Sequence, residues 1–537
     1  MTTTTATTAT AAPGGLYTRP WAVLLLFVLA HVLMRLSVST ALELDEAEQM
    51  VWSQHLALGY GVQPPLYTWL QWGFNLVFGP SLLSLILLKQ SLLAGTYVLL
   101  WLAARHQGLG LRGAWWAAAS LLLFPVVGWM AVRDLTHTVL LLFCTAWLYW
   151  ALVRHIARPR PAGFVVLGVA LAVGMLAKYS FALIAAALLG AALLAPDSRR
   201  ALLARGWWLA PLVALTLLMP HASWALTHGD MIGQRMAGKL HQAAPAASAV
   251  WTRLTGLLEL ARTLLLSVLL WMLVAALAFG RQWFRHARLG APGASTAQAG
   301  QATSPGVRLL AAYLLLVVLA LLALVLVTGT SSLKVRWVEP MLILLPTAAF
   351  LWRPDLQDQP GGGRRFVTGV LCVAILGLVM AAARPAYNLY KNRPDDVNLD
   401  TAMLAQALRQ AGYDGRSPIV ITRLALGGSM RLYFPHAPVL ACPHLSHGAT
   451  QRDCSTVLET LNAQGSGWLL LQDKDEDAAL SASAALAFAS PTQRVQKTLA
   501  LPYRAAFNPS SFTLARTHRV WLLWQPPRTS GPADPPA

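Results

Sequence analysis

The chain has 537 residues, of which 56% are hydrophobic and only 12% charged, and it carries a formal net charge of +19. With a mean hydropathy of +0.52, this composition excludes an ordinary soluble protein and describes a polytopic membrane protein.

Residues 1–15 are a Thr/Ala-rich, low-complexity start without apolar periodicity, the composition of a disordered segment. Apolar runs then recur as far as Ala383, each near the roughly 20 residues a helix needs to cross the hydrocarbon core. Read as helices, they give eleven spans, at 20–38, 81–104, 114–132, 135–153, 162–177, 180–195, 207–223, 261–280, 307–328, 338–352 and 366–383. The pair 162–177 and 180–195 is separated only by Lys178, Tyr179 and Ser180.

With the N-terminus in the cytoplasm, the inner ends of these spans carry sixteen arginines against Asp197, Asp355 and Asp358, as the positive-inside rule expects. The basic balance is therefore mostly topology. Because those arginines are spread over short loops, they form no nucleic-acid surface, and no nucleic-acid partner is expected. Ser39–Thr40–Ala41 resembles a cleavage site, but the apolar run before it is longer than a signal-peptide core, so the first span is expected to remain as an anchor.

The first outward loop holds the densest acidic cluster of the membrane part. Of eleven acids between Met1 and Ala383, four are Glu43, Asp45, Glu46 and Glu48. A carboxylate at the membrane surface can act as a general base toward an acceptor hydroxyl; the plain alternative is a solvated interfacial loop. Trp52, His55, Tyr60, Tyr67, Trp69 and Trp72 surround the acids, and Gln63–Pro64–Pro65–Leu66–Tyr67 spells a rigid turn before a short aromatic helix. Interfacial aromatic belts explain part of this, and sugars also stack on such rings.

Cations come from other outward helix ends. Arg133 and Asp134 lie where spans three and four meet, Lys178 ends span five, and Lys334 and Arg336 precede span ten. Ionisable groups at membrane depth cost about 2.5–3.5 kcal/mol on insertion scales, so they call for a partner or a role. Lys89, in the middle of span two, has no assignment, and Arg235, Lys239 and Arg253 in the second outward loop read as solvated.

From Arg384 onward the composition is that of a soluble α/β domain, with expected strands at 418–422, 438–441, 467–472 and 520–525 and helices at 399–411 and 455–463. An odd number of spans places it outside the cytoplasm. Cys144 and Cys372 fall within spans, whereas Cys442 and Cys454, twelve apart, form a disulfide candidate suited to an oxidising compartment. A zinc site with His444 and His447 lacks paired-ligand spacing.

The order of these pieces resembles bacterial family 39 glycosyltransferases of the membrane-embedded GT-C class, which includes protein O-mannosyltransferases and the aminoarabinose transferase that modifies lipid A. Asp45–Glu46–Ala47, Gln63–Pro64–Pro65–Leu66–Tyr67, Asp134, Leu176–Ala177–Lys178–Tyr179 and Lys334–Val335–Arg336–Trp337 carry the resemblance, across roughly residues 20–350. It implies a GT-C-like catalytic domain of about eleven helices over 16–383 and a periplasmic α/β domain over 384–537. It also implies transfer of a sugar from a polyprenyl-phosphate donor to a glycolipid, surface glycan or protein at the periplasmic face of the bacterial inner membrane.

On that resemblance Asp45 is the catalytic base with Glu46 beside it, and Lys178, Lys334, Arg336 and Arg133 hold the donor phosphate. His55, Gln63, Pro64, Pro65, Tyr67 and Tyr179 would contact substrate, and Asp134 would orient the acceptor or a cation. One departure is Gln63, where a Lys often precedes Pro-Pro in the aminoarabinose branch; it removes a phosphate contact and argues against that branch. A single base with cations suits transfer, because a departing phosphate is stabilised by positive charge, whereas hydrolysis needs a second carboxylate to protonate the leaving group.

No spaced metal-ligand set is visible, and use of a divalent cation stays open. Two other classes remain. A transporter or flippase would show duplicated halves and broken spans, and a non-catalytic scaffold would leave Asp45 dispensable.

Overall fold

The computed structural model describes residues 20–230, 249–284, 304–442, 454–473, 494–505 and 517–527. Among these, eight helices are long and apolar enough to cross a membrane, or ten when each of two bent pairs counts as one span. The expected count of eleven is reached only with α8 (Pro161–Ala177), a 17-residue apolar helix that falls short of the roughly 20 residues of a full crossing. The first eleven helices place the site: α1 Pro20–Val38, α2 Leu44–Trp52, α3 Leu66–Phe78, α4 Leu82–His106, α5 Leu111–Ala119, α6 Ala131–Arg133, α7 His137–Ala157, α8, α9 Phe181–Leu194, α10 Pro196–Leu202 and α11 Leu209–Thr227.

Lipid offers the backbone no hydrogen-bond partners, so apolar runs close their bonds internally as helices. Where a helix breaks at depth, a protein group must take over. The span containing α5 breaks at Pro125 and bends by 66° before reaching α6. There the Val126 N–H donates to Oε1 of Glu339, 2.8 Å away, and Glu339 is fully buried.

The junction between 177 and 181, where only three residues separate two apolar runs, is a true break. Lys178 ends α8 in extended backbone (φ −165°, ψ 135°), and α9 starts three residues later. The last long helix, Pro360–Tyr390, runs past the expected junction at Arg384.

Beyond it lies a five-stranded mixed sheet in the order β2-β1-β3-β5-β4, with β1 Ile419–Ile421, β2 Val439–Ala441, β3 Trp468–Asp473, β4 Val495–Pro502 and β5 Thr517–Gln525. β1 pairs in parallel with β2 and β3, whereas β5 runs antiparallel to β3 and β4. The helix Thr401–Gln410 buries Leu404 and Leu408 against Ile419, Ile421 and Leu471.

Two elements were not expected from the sequence, β4 and the helix Leu424–Tyr433. β4 is an edge strand with most of its residues exposed, so its apolar alternation is weak. The helix contains Gly427–Gly428, residues that disfavour helices but that packing requires here. A Cβ on Gly427 would come within 2.1 Å of Ile421, and one on Gly428 within 2.5 Å of the Ala47 backbone.

Candidate active site

The chain leaves α1 through a turn tied by Arg35, whose guanidinium donates to Ser39 O (2.6 Å) and Ala41 O (3.0 Å). Its Nη2 also meets Glu46 Oε2 at 2.7 Å, while Lys89 Nζ from α4 meets Glu46 Oε1 at 3.3 Å. Glu46 is 1% exposed. Burial alone would raise its carboxyl, but Arg35 and Lys89 together hold it down at about 2.

Glu46 thus joins α1, α2 and α4, and it also completes the capping box that starts α2 with Glu43. Glu43 pairs with Arg384 and, at 3.8 Å, with Arg133; Arg384 in turn pairs with Asp395. Burial raises the Glu43 carboxyl against the opposing pull of Arg384.

Asp45, one position before Glu46 on α2, is half-exposed. It lies close enough to Asp134 for the two charges to interact: burial pushes the Asp134 carboxyl well above the usual carboxylate range, and Asp45 and Glu43 push it further. Lys89 reaches this end of the site too, donating to Asp134 O at 3.4 Å. The buried Asp134 Oδ1, Tyr67 hydroxyl and Thr136 hydroxyl make no hydrogen bond. Asp45 therefore sits on a rigidly held helix beside polar atoms free to bind.

A buried polar chain connects this helix to the next predicted cation. Thr68 donates to Gln49 Oε1 (2.8 Å), Gln49 Nε2 meets His137 Nε2 (3.3 Å), and His137 Nδ1 meets Ala177 O (3.4 Å). The following residue, Lys178, donates to Thr138 Oγ1 at 2.9 Å. Tyr179 bonds His221 at 3.1 Å, and His221 meets Leu58 O at 2.7 Å. His221 stacks on Trp224, and the close pass of Gly59, whose Cβ would sit 2.2 Å from that indole, ties the acidic loop to α11.

The other predicted residues are spread around this centre. Lys334 is exposed, with its ammonium 5.6 Å from the centre of the Trp337 ring, and Arg336 is half-buried on the first turn of the helix Val335–Leu342. Among the described residues, neither makes a hydrogen bond or ion pair with Asp45. Arg133 lies 5.8 Å from the Trp129 ring and pairs with Glu43.

Pro64, Pro65 and Tyr67 are buried, Gln63 is half-buried and His55 exposed. The Tyr67 ring packs 5.6 Å from His137, beneath the site. Cys442 is disulfide-bonded, and the side chain of its expected partner Cys454 lies outside the described residues, as do His444, His447, Arg235 and Lys239. Among the described residues no three His, Cys, Asp or Glu side chains converge as a metal site.

The sequence did not point to Arg35, Gln49, His137, Arg384 or Glu339, and left Lys89 unassigned. Arg35 and Arg384 had one usable signal, a lone arginine on the outward side, where positive charge is disfavoured. Glu339 had another, an acid inside an apolar run.

Residues 62–224 match the family described as dolichyl-phosphate-mannose-protein mannosyltransferase. Over 434 residues the chain is 32% identical to the lipopolysaccharide core galacturonosyltransferase RgtA of Rhizobium johnstonii, covering 77% of this chain and 80% of that one. It is 31% identical to RgtB of the same organism, covering 79% and 83%. The fold is similar to the crystal structure of ArnT from Cupriavidus metallidurans bound to undecaprenyl phosphate, with a TM-score of 0.57 at 14% identity over 95% of this chain and 98% of that one. Transferase relatives over most of the chain displace the transport and scaffold readings: this multi-pass membrane protein is a glycosyltransferase and belongs to the bacterial family 39 of the GT-C class.

Proposed function

We propose that the protein transfers a galacturonosyl unit from a polyprenyl-phosphate donor to a lipopolysaccharide acceptor at the periplasmic face of the inner membrane, with Asp45 as the general base. The observation that carries the assignment of Asp45 is the contrast between two neighbouring acids on α2. Glu46 has both oxygens engaged by Arg35 and Lys89 in the interior, whereas Asp45 is half-exposed and lies beside Asp134. Glu46 is then a positioning residue, and Asp45 takes the proton as an acceptor hydroxyl attacks the anomeric carbon.

The leaving phosphate needs positive charge rather than a proton. Lys178, Lys334 and Arg336 are the groups proposed to supply it, with Arg133 held near Glu43. Asp134, whose carboxyl is raised by burial and its acidic neighbours, is the group proposed to orient a sugar or acceptor hydroxyl.

The choice of sugar and acceptor rests on the relatives RgtA and RgtB, named as lipopolysaccharide core galacturonosyltransferases. It is tested by incubating purified protein with polyprenyl-phosphate galacturonate and with core lipopolysaccharide or lipid A as separate acceptors. A galacturonate-sized mass gain on core oligosaccharide supports the reading; gain only with a neutral or aminated sugar donor, or only on another acceptor, replaces it.

A further inference from the structure

The end of α8 opposite Lys178 borders a basic cleft. Pro161 and Phe164 at the start of α8, and Arg205, Gly206 and Trp208 in the turn leading into α11, line a cleft of about 500 Å³ together with Arg160. The turn is built for this shape. Gly206 has φ +97°, a left-handed conformation that other side chains rarely adopt, and His155 pins α10 through Ala201 O at 3.2 Å.

We propose that this cleft binds the phosphate headgroup of an anionic phospholipid from the surrounding bilayer. Arg160 and Arg205 are both exposed, and no partner engages either guanidinium among the described residues. Two guanidiniums facing one cleft offer the planar donor forks that suit phosphate. No acid lines the cleft, and the nearby Asp197 lies 3.8 Å from Arg200.

The surroundings favour a lipid over a soluble anion. Phe164 and Leu209 give the cleft an apolar floor, and Leu203, Trp207 and Trp208 stand more than half exposed beside it, as side chains do at the interface of a membrane. Basic pockets between membrane helices take anionic headgroups for these reasons. α8 also ends at Lys178 on the opposite side, about 25 Å away at 1.5 Å per residue, so an occupied cleft steadies a helix of the site without touching substrate.

The test uses the full-length protein equilibrated with an equal mixture of phosphatidylglycerol and phosphatidylcholine, with bound lipid counted by native mass spectrometry. Wild type is expected to retain one phosphatidylglycerol with a preference on the order of 30-fold, the size that two surface arginines supply. Arg160→Gln/Arg205→Gln is expected to lose that preference and Arg160→Lys/Arg205→Lys to keep most of it. Single Arg205→Gln, expected to lose most of it, covers the case in which the double variant misfolds. An unchanged preference in the Gln variants overturns the proposal, as does equal retention of phosphatidylglycerol and phosphatidylcholine by wild type.

Discussion

Arg35 and Glu46 form a buried 2.7 Å ion pair that fastens the first membrane helix to the helix carrying Asp45. Lys89 completes it from α4. Removing one member of such a group leaves uncompensated buried charge, which costs about 3–5 kcal/mol. Glu46→Gln is therefore expected to lower the unfolding temperature of the detergent-solubilised protein sharply, and the same scan with Asp45→Asn should show almost no change.

The same carboxyl sets a pH dependence. Its folded value lies at about 2, below its ordinary 4.5, so it contributes stability at all pH above 4.5 and loses it as pH falls from there toward 2. Thermal unfolding followed from pH 6 to the acid limit should show this decline in wild type and a flatter profile in Glu46→Gln.

Asp134 runs the other way. Its carboxyl is raised well above 3.8, so its contribution is present at low pH and is lost as pH rises through the raised value. Asp134→Asn should match wild-type stability near pH 4 and exceed it at pH 8, measured by unfolding temperature. The variant should also transfer sugar more slowly if Asp134 orients the acceptor.

The soluble domain clamps α2. Leu42 N donates to Ser429 Oγ (3.0 Å), and the Gln54 side-chain amide makes both backbone bonds of Val439, donating to its O at 2.9 Å and accepting from its N at 2.8 Å, so it extends the edge strand β2. Gly428 permits the close approach to Ala47. Gly428→Ala should cost about 1–3 kcal/mol through overpacking. Turnover should fall while donor affinity holds, with faster hydrogen exchange in α2 as the direct readout.

Much of the fold was legible because membrane spans follow from apolar length alone, and eleven apolar segments of the sequence correspond to eleven helical segments, two of them bent. What could not be read were tertiary partnerships. Gly427–Gly428 looks helix-breaking until Ile421 and Ala47 are seen against it, and nothing near Gln49 or His137 in sequence shows that they meet at 3.3 Å. The acidic loop was visible as a cluster, but the different surroundings of Asp45 and Glu46 depend on which way each faces from α2.

The break at Pro125 gives a separate check on the membrane domain. Glu339→Gln keeps an oxygen for the Val126 N–H and should leave stability within about 1 kcal/mol, whereas Glu339→Leu leaves that donor unpaired and should cost about 1–3 kcal/mol. Unfolding midpoints of the two variants distinguish these outcomes.

The most direct test of the account is single-turnover transfer by purified wild-type and Asp45→Asn protein, with donor binding measured on the same samples. Asp45→Asn is expected to bind the polyprenyl-phosphate sugar with unchanged affinity and to unfold at the wild-type temperature, while its transfer rate falls by about 10²–10⁴. Transfer at the wild-type rate would contradict the assignment of Asp45 as the base.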